Sequence, residues 1–265
     1  MPLFRYLLPG HFRRLEGVGV SSISNLSRPY AIRQNRSARI TYAHGLPCAW
    51  EGDRPAAPRR SYDVQIHGAA KRLLDVIVSC GVLVFLLPLF LFIAVAIKVS
   101  DPGPVLFVQP REGRNGRAFR IFKFRTMRHA ARCVDGVEQT TAGDCRVSTV
   151  GSFLRRHSID ELPQFFNVLI GDMSLVGPRP HVEGQLAGGR PYREVVPFYD
   201  MRLSVKPGIT GWAQVNGLRG PTNDADKARA RIEHDVAYIQ NLSLGLDLRI
   251  LTTTALREFI NGSGS

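Results

Sequence analysis

From Val76 to Ile97 the chain carries no charged side chain, a run of 22 residues with Pro88 near its centre. As a helix, such a run is long enough to cross the hydrocarbon of a bilayer. It also exceeds what the core of a small domain needs. The proline removes a backbone donor and clashes with the preceding turn. Two outcomes stay open: a kinked spanning helix, or a re-entrant helix–turn–helix that returns to its own side. Lys71 and Arg72 precede the run and Lys98 ends it. Positive charge at both ends fits both ends remaining cytoplasmic. In either case the rest of the chain is expected to work at a membrane.

The 265 residues include 35 Lys and Arg against 22 Asp and Glu, a net charge of +13. That surplus points to an anionic partner, whether nucleic acid, acidic lipid or a phosphorylated substrate. The apolar run favours lipid and phosphate. Residues 1–62 hold ten arginines, no lysine and three acidic residues, interrupted by proline, glycine and serine. A disordered basic tail is expected there, able to lie on anionic lipid. Residues 63–100 then form the membrane segment, and residues 101–265 a compact domain against it. Four cysteines without a Cys-x-x-Cys pair suggest neither a zinc site nor a disulfide framework.

Asp101-Pro102-Gly103-Pro104 is a turn and helix stop. The stretch from Phe107 to Met127 reads as a hairpin around Gly113 and Gly116. A helix is expected from Ser158 or Asp160 to Ile170, with Leu162, Phe165, Phe166 and Leu169 on one face and Gly171 ending it. Further helices are expected over 224–240, with Ile232, Val236 and Ile239 aligned, and over 246–260.

The sequence Ser158-Ile159-Asp160-Glu161-Leu162-Pro163-Gln164 sets two carboxylates side by side, with Arg155 and Arg156 just upstream. One reading is local: Ser158 and Glu161 spell a capping box. The other is chemical. A helix start offers amides to a phosphate, one carboxylate can attack phosphorus, and its neighbour can hold Mg²⁺. Nearby cations must then offset the repulsion between two anions and an anionic substrate. Arg179, between Pro178 and Pro180, is a candidate, since arginine pairs bidentately with phosphate. Lys123 and Arg125 sit among Phe119, Phe122 and Phe124. No nucleic-acid motif surrounds them, so a nucleic-acid partner is not expected.

Taken in order, these motifs resemble the bacterial sugar transferases, monotopic polyprenyl-phosphate phosphoglycosyl transferases. The resemblance runs through Lys71-Arg72-Leu73-Leu74-Asp75, Gln109-Pro110-Arg111-Glu112-Gly113 and Phe122-Lys123-Phe124-Arg125-Thr126-Met127. It continues through Asp160-Glu161-Leu162-Pro163-Gln164, Val176-Gly177-Pro178-Arg179-Pro180 and Lys206-Pro207-Gly208-Ile209-Thr210-Gly211-Trp212. It implies an α+β fold: a re-entrant membrane helix–turn–helix, then a compact, mostly helical, membrane-associated catalytic domain with short strands. It also implies transfer of a sugar-1-phosphate from a UDP-sugar to undecaprenyl phosphate at the cytoplasmic face of the bacterial inner membrane, releasing UMP and starting an exopolysaccharide repeat. Asp160 would be the nucleophile and Glu161 would help hold Mg²⁺. Arg155, Arg179, Lys123 and Arg125 would bind substrate phosphate. Arg219, in Asn216-Gly217-Leu218-Arg219, would contact the nucleotide. The last third looks most like glucose-1-phosphate transferases, with galactose second. The competing expectation is a membrane-bound adaptor among polysaccharide-assembly proteins, which leaves the carboxylate pair without a use.

Overall fold

The computed structural model describes residues 33–35, 38–57, 63–129 and 144–261. The first described elements form an antiparallel sheet in spatial order β1 (Arg33–Asn35), β2 (Ala38–Ala43), β3 (Leu46–Glu51) and β4 (Arg54–Pro55). His44 and Gly45 join β2 to β3 with φ of 49° and 89°, the paired positive φ of a two-residue hairpin turn. Thr41 faces Cys48 and Ala43 faces Leu46 across the ladder. Thr41, Ala43, Cys48 and Trp50 are all buried. This sheet corrects the expected disordered tail for the residues it covers. The remainder of that tail lies outside the described residues.

Two helices follow, α1 (Asp63–Phe85) and α2 (Leu87–Ser100), bent by 60° at their junction. Pro88 is the second residue of α2. Its missing N–H costs nothing in a first turn, but its ring would meet the carbonyl of Val84 if the helix ran straight through. Among the described residues no single helix is long and apolar enough to cross a membrane, although the bent pair is by length and composition. Many of its apolar side chains are exposed, among them Ile77, Phe85, Leu91, Phe92 and Val99.

Polar residues fasten α1 to the remaining fold. Lys71 donates to Asp247 at 2.7 Å and to the Val176 carbonyl at 3.0 Å. Arg72 donates to the Val168 and Leu169 carbonyls at 2.6 and 2.8 Å. Asp75 accepts from Ser174 Oγ at 3.1 Å and the Leu175 amide at 2.9 Å. The Lys-Arg-x-x-Asp motif is thus a clamp between the apolar pair and the domain behind it.

That domain begins with the expected hairpin, β5 (Leu106–Glu112) and β6 (Ala118–Phe124), followed by α3 (Thr149–Arg156), α4 (Gln164–Ile170) and β7 (Ser174–Val176). Short pieces β8 (Leu186–Ala187), β9 (Arg190–Pro191) and α5 (Tyr192–Val195) lead to β10 (Gly208–Thr210) and α6 (Trp212–Val215). The chain closes with α7 (Ala225–Gln240) and α8 (Leu244–Asn261). Mixed helices and short strands make the fold α+β.

Asp224 caps α7 by accepting from the amides of Asp226 and Lys227, as an N-terminal aspartate does. Ile232, Val236 and Ile239 are buried as the spacing predicts. Full burial of each contributes about 2 kcal/mol. The N-terminal sheet packs on the same helix. Gln240 brackets the Ala49 backbone, accepting from its amide at 2.8 Å and donating to its carbonyl at 3.1 Å. Trp50 meets Phe198 edge to face.

The expected apolar face of α4 is corrected in part. Phe165 packs on the core and Leu162 and Leu169 are half-buried, but Phe166 is exposed and the buried residues of the helix are Gln164, Asn167 and Val168. Asn167 accounts for the polar burial: it accepts from the Phe122 amide at 3.0 Å and donates to the Arg120 carbonyl at 2.7 Å, so β6 claims the polar side of the helix.

Candidate active site

Asp160 and Glu161 lie in a 3-10 turn, Ile159–Glu161, and not in a helix running on to Ile170. Pro163 has no N–H to bond the Ile159 carbonyl, which the Leu162 amide takes at 3.2 Å. The turn and α4 are therefore separate, while Gly171 ends α4 at φ 102° as expected. Ser158 enters the turn at φ 54°, a left-handed conformation that costs a residue with a Cβ. Its side chain caps nothing, so the capping box does not form. The Glu161 amide donates to the Ser158 carbonyl at 3.3 Å. The Glu161 and Leu162 amides are thus spent inside the turn.

Glu161 turns instead toward two cations. One oxygen accepts from Lys123 Nζ at 2.7 Å and also from Arg179 Nη2. The other accepts from Arg179 Nη1 at 2.9 Å. Burial alone would raise the Glu161 pKa, but Arg179 and Lys123 outweigh it and hold the carboxyl well below its ordinary range. Asp160 is different. It is 9 % exposed, and among the described residues no hydrogen bond or ion pair engages its carboxylate. Burial raises its pKa to about 6, with Lys123 pulling it down and Glu161 pushing it up. The group is still mostly ionised at neutral pH, and it is more basic than an ordinary aspartate. That suits a nucleophile.

Two more cations bear on the pair. Arg155, on α3, interacts electrostatically with Asp160 and donates through Nε to Thr126 Oγ1 at 2.8 Å. A Cβ at Gly151 would lie 2.0 Å from the Thr126 carbonyl, so a glycine there lets α3 close on this strand end. Arg111, on β5, feels both Glu161 and Arg179, and burial with that neighbouring charge lowers its pKa to about 10. The pairings Phe107–Lys123 and Arg111–Phe119 put Arg111 and Lys123 on one face of the hairpin. Lys123, Arg111, Arg155 and Arg179 thus set four positive charges against two carboxylates. The cluster has a net positive charge and is equipped to receive an anion.

The model for the family described as bacterial sugar transferase matches residues 66–261. The chain belongs to that family. An exopolysaccharide production protein of Rhizobium leguminosarum is 48% identical over 194 residues, covering 73% of this chain and 97% of the relative. A UDP-glucose:undecaprenyl-phosphate glucose-1-phosphate transferase of Klebsiella pneumoniae is 48% identical over 198 residues, 75% of this chain and 42% of the relative. An N-acetylgalactosaminephosphotransferase of Aeromonas hydrophila, acting between UDP-N-acetylgalactosamine and undecaprenyl phosphate by its name, is 45% identical over 200 residues, 76% of this chain and 46% of the relative. The chain therefore spans less than half the length of the last two, and overall identity does not separate their sugars.

Within this sugar transferase, the cluster gathers Asp160, Glu161, Lys123, Arg155 and Arg179, and Arg125 is engaged outside it. Arg125 is buried against Asp101, with one nitrogen on its carbonyl and another 3.4 Å from its carboxylate. Gly103 leaves room for it: a Cβ there would overlap the guanidinium. Arg219 lies half-buried in the loop between α6 and α7. Arg111 joins the cluster without having been expected there. Its alternation with Gln109 along β5, on the face that carries Lys123, is the signal that the sequence offers for it. The magnesium role expected for Glu161 does not fit the site as it stands, because both of its oxygens are already committed to cations.

A second buried network lies behind the first. Arg202 and Asp235, 2 % and 3 % exposed, pair at 2.9 Å through Nε. Tyr199 donates to Glu112 at 2.5 Å, and Arg193 donates to the same carboxylate at 2.6 Å. Arg202 also lies 5.4 Å from the centre of the Tyr199 ring.

Proposed function

We propose that the protein transfers a hexose-1-phosphate, glucose first and galactose second, from a UDP-sugar to undecaprenyl phosphate. The supporting observation is the buried, unengaged carboxylate of Asp160 beside a neighbour whose charge is neutralised. An Oδ of Asp160 attacks the sugar-bearing phosphorus, the bond from that phosphorus to the bridging oxygen breaks, and UMP leaves with the electron pair. A phosphate oxygen of undecaprenyl phosphate then attacks the same phosphorus. The acyl phosphate bond breaks and the Asp160 carboxylate is restored.

Lys123 and Arg179 cancel the charge of Glu161, so the incoming diphosphate meets one anion in place of two. Arg155 and Arg111 add positive charge from the flanks. In a buried setting such fixed charges act with little screening. Arg125 is left out of this phosphate-binding set because Asp101 occupies it.

The apolar side chains exposed on α1 and α2 support a re-entrant membrane placement, with both flanks at the cytoplasmic face of the inner membrane. The long lipid acceptor would reach Asp160 along that helix pair. Single cysteines placed on either side of the pair should label from the cytoplasm alone; labelling from opposite sides would replace the re-entrant reading with a spanning one. The decisive assay is UMP release by detergent-purified protein with undecaprenyl phosphate and a panel of UDP-sugars. Release that needs the lipid, selects one sugar and disappears in Asp160→Asn is expected. No release from folded wild-type protein with any donor would refute the reading.

A further inference from the structure

The Pro178-Arg179-Pro180 segment has little means of holding itself in place by its own amides. Neither proline has an N–H, so of its three residues only Arg179 keeps a backbone donor, and the segment relies on its carbonyls. Each carbonyl has a donor from elsewhere. Pro178 accepts from the Gly208 amide at 2.9 Å. Arg179 accepts from Arg202 Nη2 at 2.5 Å. Pro180 accepts from Arg111 Nη1 at 3.4 Å. The amide bonds on either side, Gly177 to Thr210 and Glu112 to His181, each measure 2.9 Å.

Of these donors Arg202 is the most firmly fixed. Its Nε is on Asp235, its Nη1 is 3.5 Å from the Tyr199 hydroxyl, and the Tyr199 ring lies against its guanidinium. Almost none of it reaches solvent, so it is not available to a substrate. Its remaining nitrogen reaches out of this interior network to the backbone of Arg179, the residue whose side chain grips Glu161.

We infer that Arg202 is a positioning residue for the acidic pair: held by Asp235 and Tyr199, it fixes the Arg179 backbone and so the placement of the Arg179 guanidinium on Glu161 and near Asp160. The inference rests on the proposed reaction only for its kinetic consequence. The chain of contacts is Asp235 to Arg202 to the Arg179 carbonyl, then the Arg179 side chain to Glu161. Lysine at 202 keeps the charge but cannot reach Asp235 and the carbonyl together, because it lacks the planar fork.

The test is a double-mutant cycle on UMP release with Arg202→Lys, Arg179→Lys and the pair. In the wild-type background Arg202→Lys should lower kcat/KM about 30-fold, the scale of a small misplacement at a reacting centre. In the Arg179→Lys background the same change should cost less than about twofold, because interacting sites do not add. Equal losses in both backgrounds would overturn the inference and leave Arg202 as scaffold. Should Arg202→Lys fail to fold, Tyr199→Phe takes its place in the same cycle. A smaller loss that shrinks in the Arg179→Lys background is then expected, and equal losses would again overturn the inference.

A second readout needs no turnover. Arg179 helps to lower the Asp160 pKa, so loosening Arg179 should move the Asp160 carboxyl titration, followed by NMR against Asp160→Asn, to higher pH. An unmoved titration in a folded Arg202→Lys or Tyr199→Phe variant would also overturn the inference. This measurement separates its failure from failure of the functional reading.

Discussion

The two buried charge clusters meet back to back at Arg179 and follow opposite rules. In the interior one, Arg202 pairs with Asp235 and Glu112 accepts from Tyr199 and Arg193, so the buried carboxylates have partners. In the outer one, Glu161 is held at both oxygens while Asp160 has no hydrogen-bonded partner among the described residues. Saturation is what a scaffold needs, since a buried polar group without partners is costly. A carboxylate left uncommitted beside committed neighbours is what a nucleophile needs. The difference separates building from chemistry within a few residues.

The largest expected contrast comes from neutralising one aspartate in each cluster. Asp160→Asn should abolish UMP release, by more than about 10³-fold, without lowering the thermal midpoint, because burial already disfavours that charge. Asp235→Asn should strand the Arg202 charge and cost about 3–5 kcal/mol of stability. Thermal unfolding of the two variants checks this. An unstable Asp160→Asn, or an Asp235→Asn as stable as the parent, would erase the distinction.

The next contrast is in pH. Asp160 must be ionised to attack, so kcat/KM should fall as pH drops through about 6. Glu161→Gln removes a like charge and frees two cations, so this acid limb should move to lower pH; a limb that stays in place would mean that another group controls it. The stability sign is the reverse of a salt-bridged acid. The folded value lies above the ordinary 3.8, so the contribution of Asp160 is full below 3.8 and is lost as pH rises through about 6.

Two smaller effects mark the edges of the outer cluster. Glu161→Gln should lower the rate yet leave the response of UMP release to added magnesium as it is in the parent, since its oxygens serve Lys123 and Arg179; a weakened metal response would restore the ligand role. Arg125→Met should lower the thermal midpoint while changing the KM for the UDP-sugar by less than about twofold. A larger change in KM would return Arg125 to the phosphate-binding set.

The parts legible in the sequence were those written in local pattern. The β5–β6 hairpin followed from glycines flanked by aromatics. Helix α7 followed from three aligned apolar residues behind Asp224. The acidic pair stood out as adjacent like charges beside arginines. Other features depended on distant partners. The apolar side of α4 looked like the whole core face, but Asn167 bonds the edge of β6 that β5 leaves open and draws the polar side of the helix inward. The N-terminal sheet was masked by arginines and prolines, although Thr41, Ala43, Leu46, Cys48 and Trp50 alternate around His44-Gly45; its inward face acquires meaning only once α7 lies beneath it. Arg202, a single arginine in an irregular stretch, carries no sequence signal, because its role is set by a carbonyl 23 positions away.

The clamp at residues 71–75 has a mechanical consequence if the helix pair lies in a bilayer as proposed. Lys71, Arg72 and Asp75 tie α1 to α8, α4 and β7 at the point where the apolar pair meets the domain. A hinge there would let the reaction centre swing independently of the lipid. A bolted joint makes the depth of the apolar pair and the height of Asp160 one quantity. How deep the pair sits would then set the reach required of the acceptor phosphate, by the membrane as much as by the site.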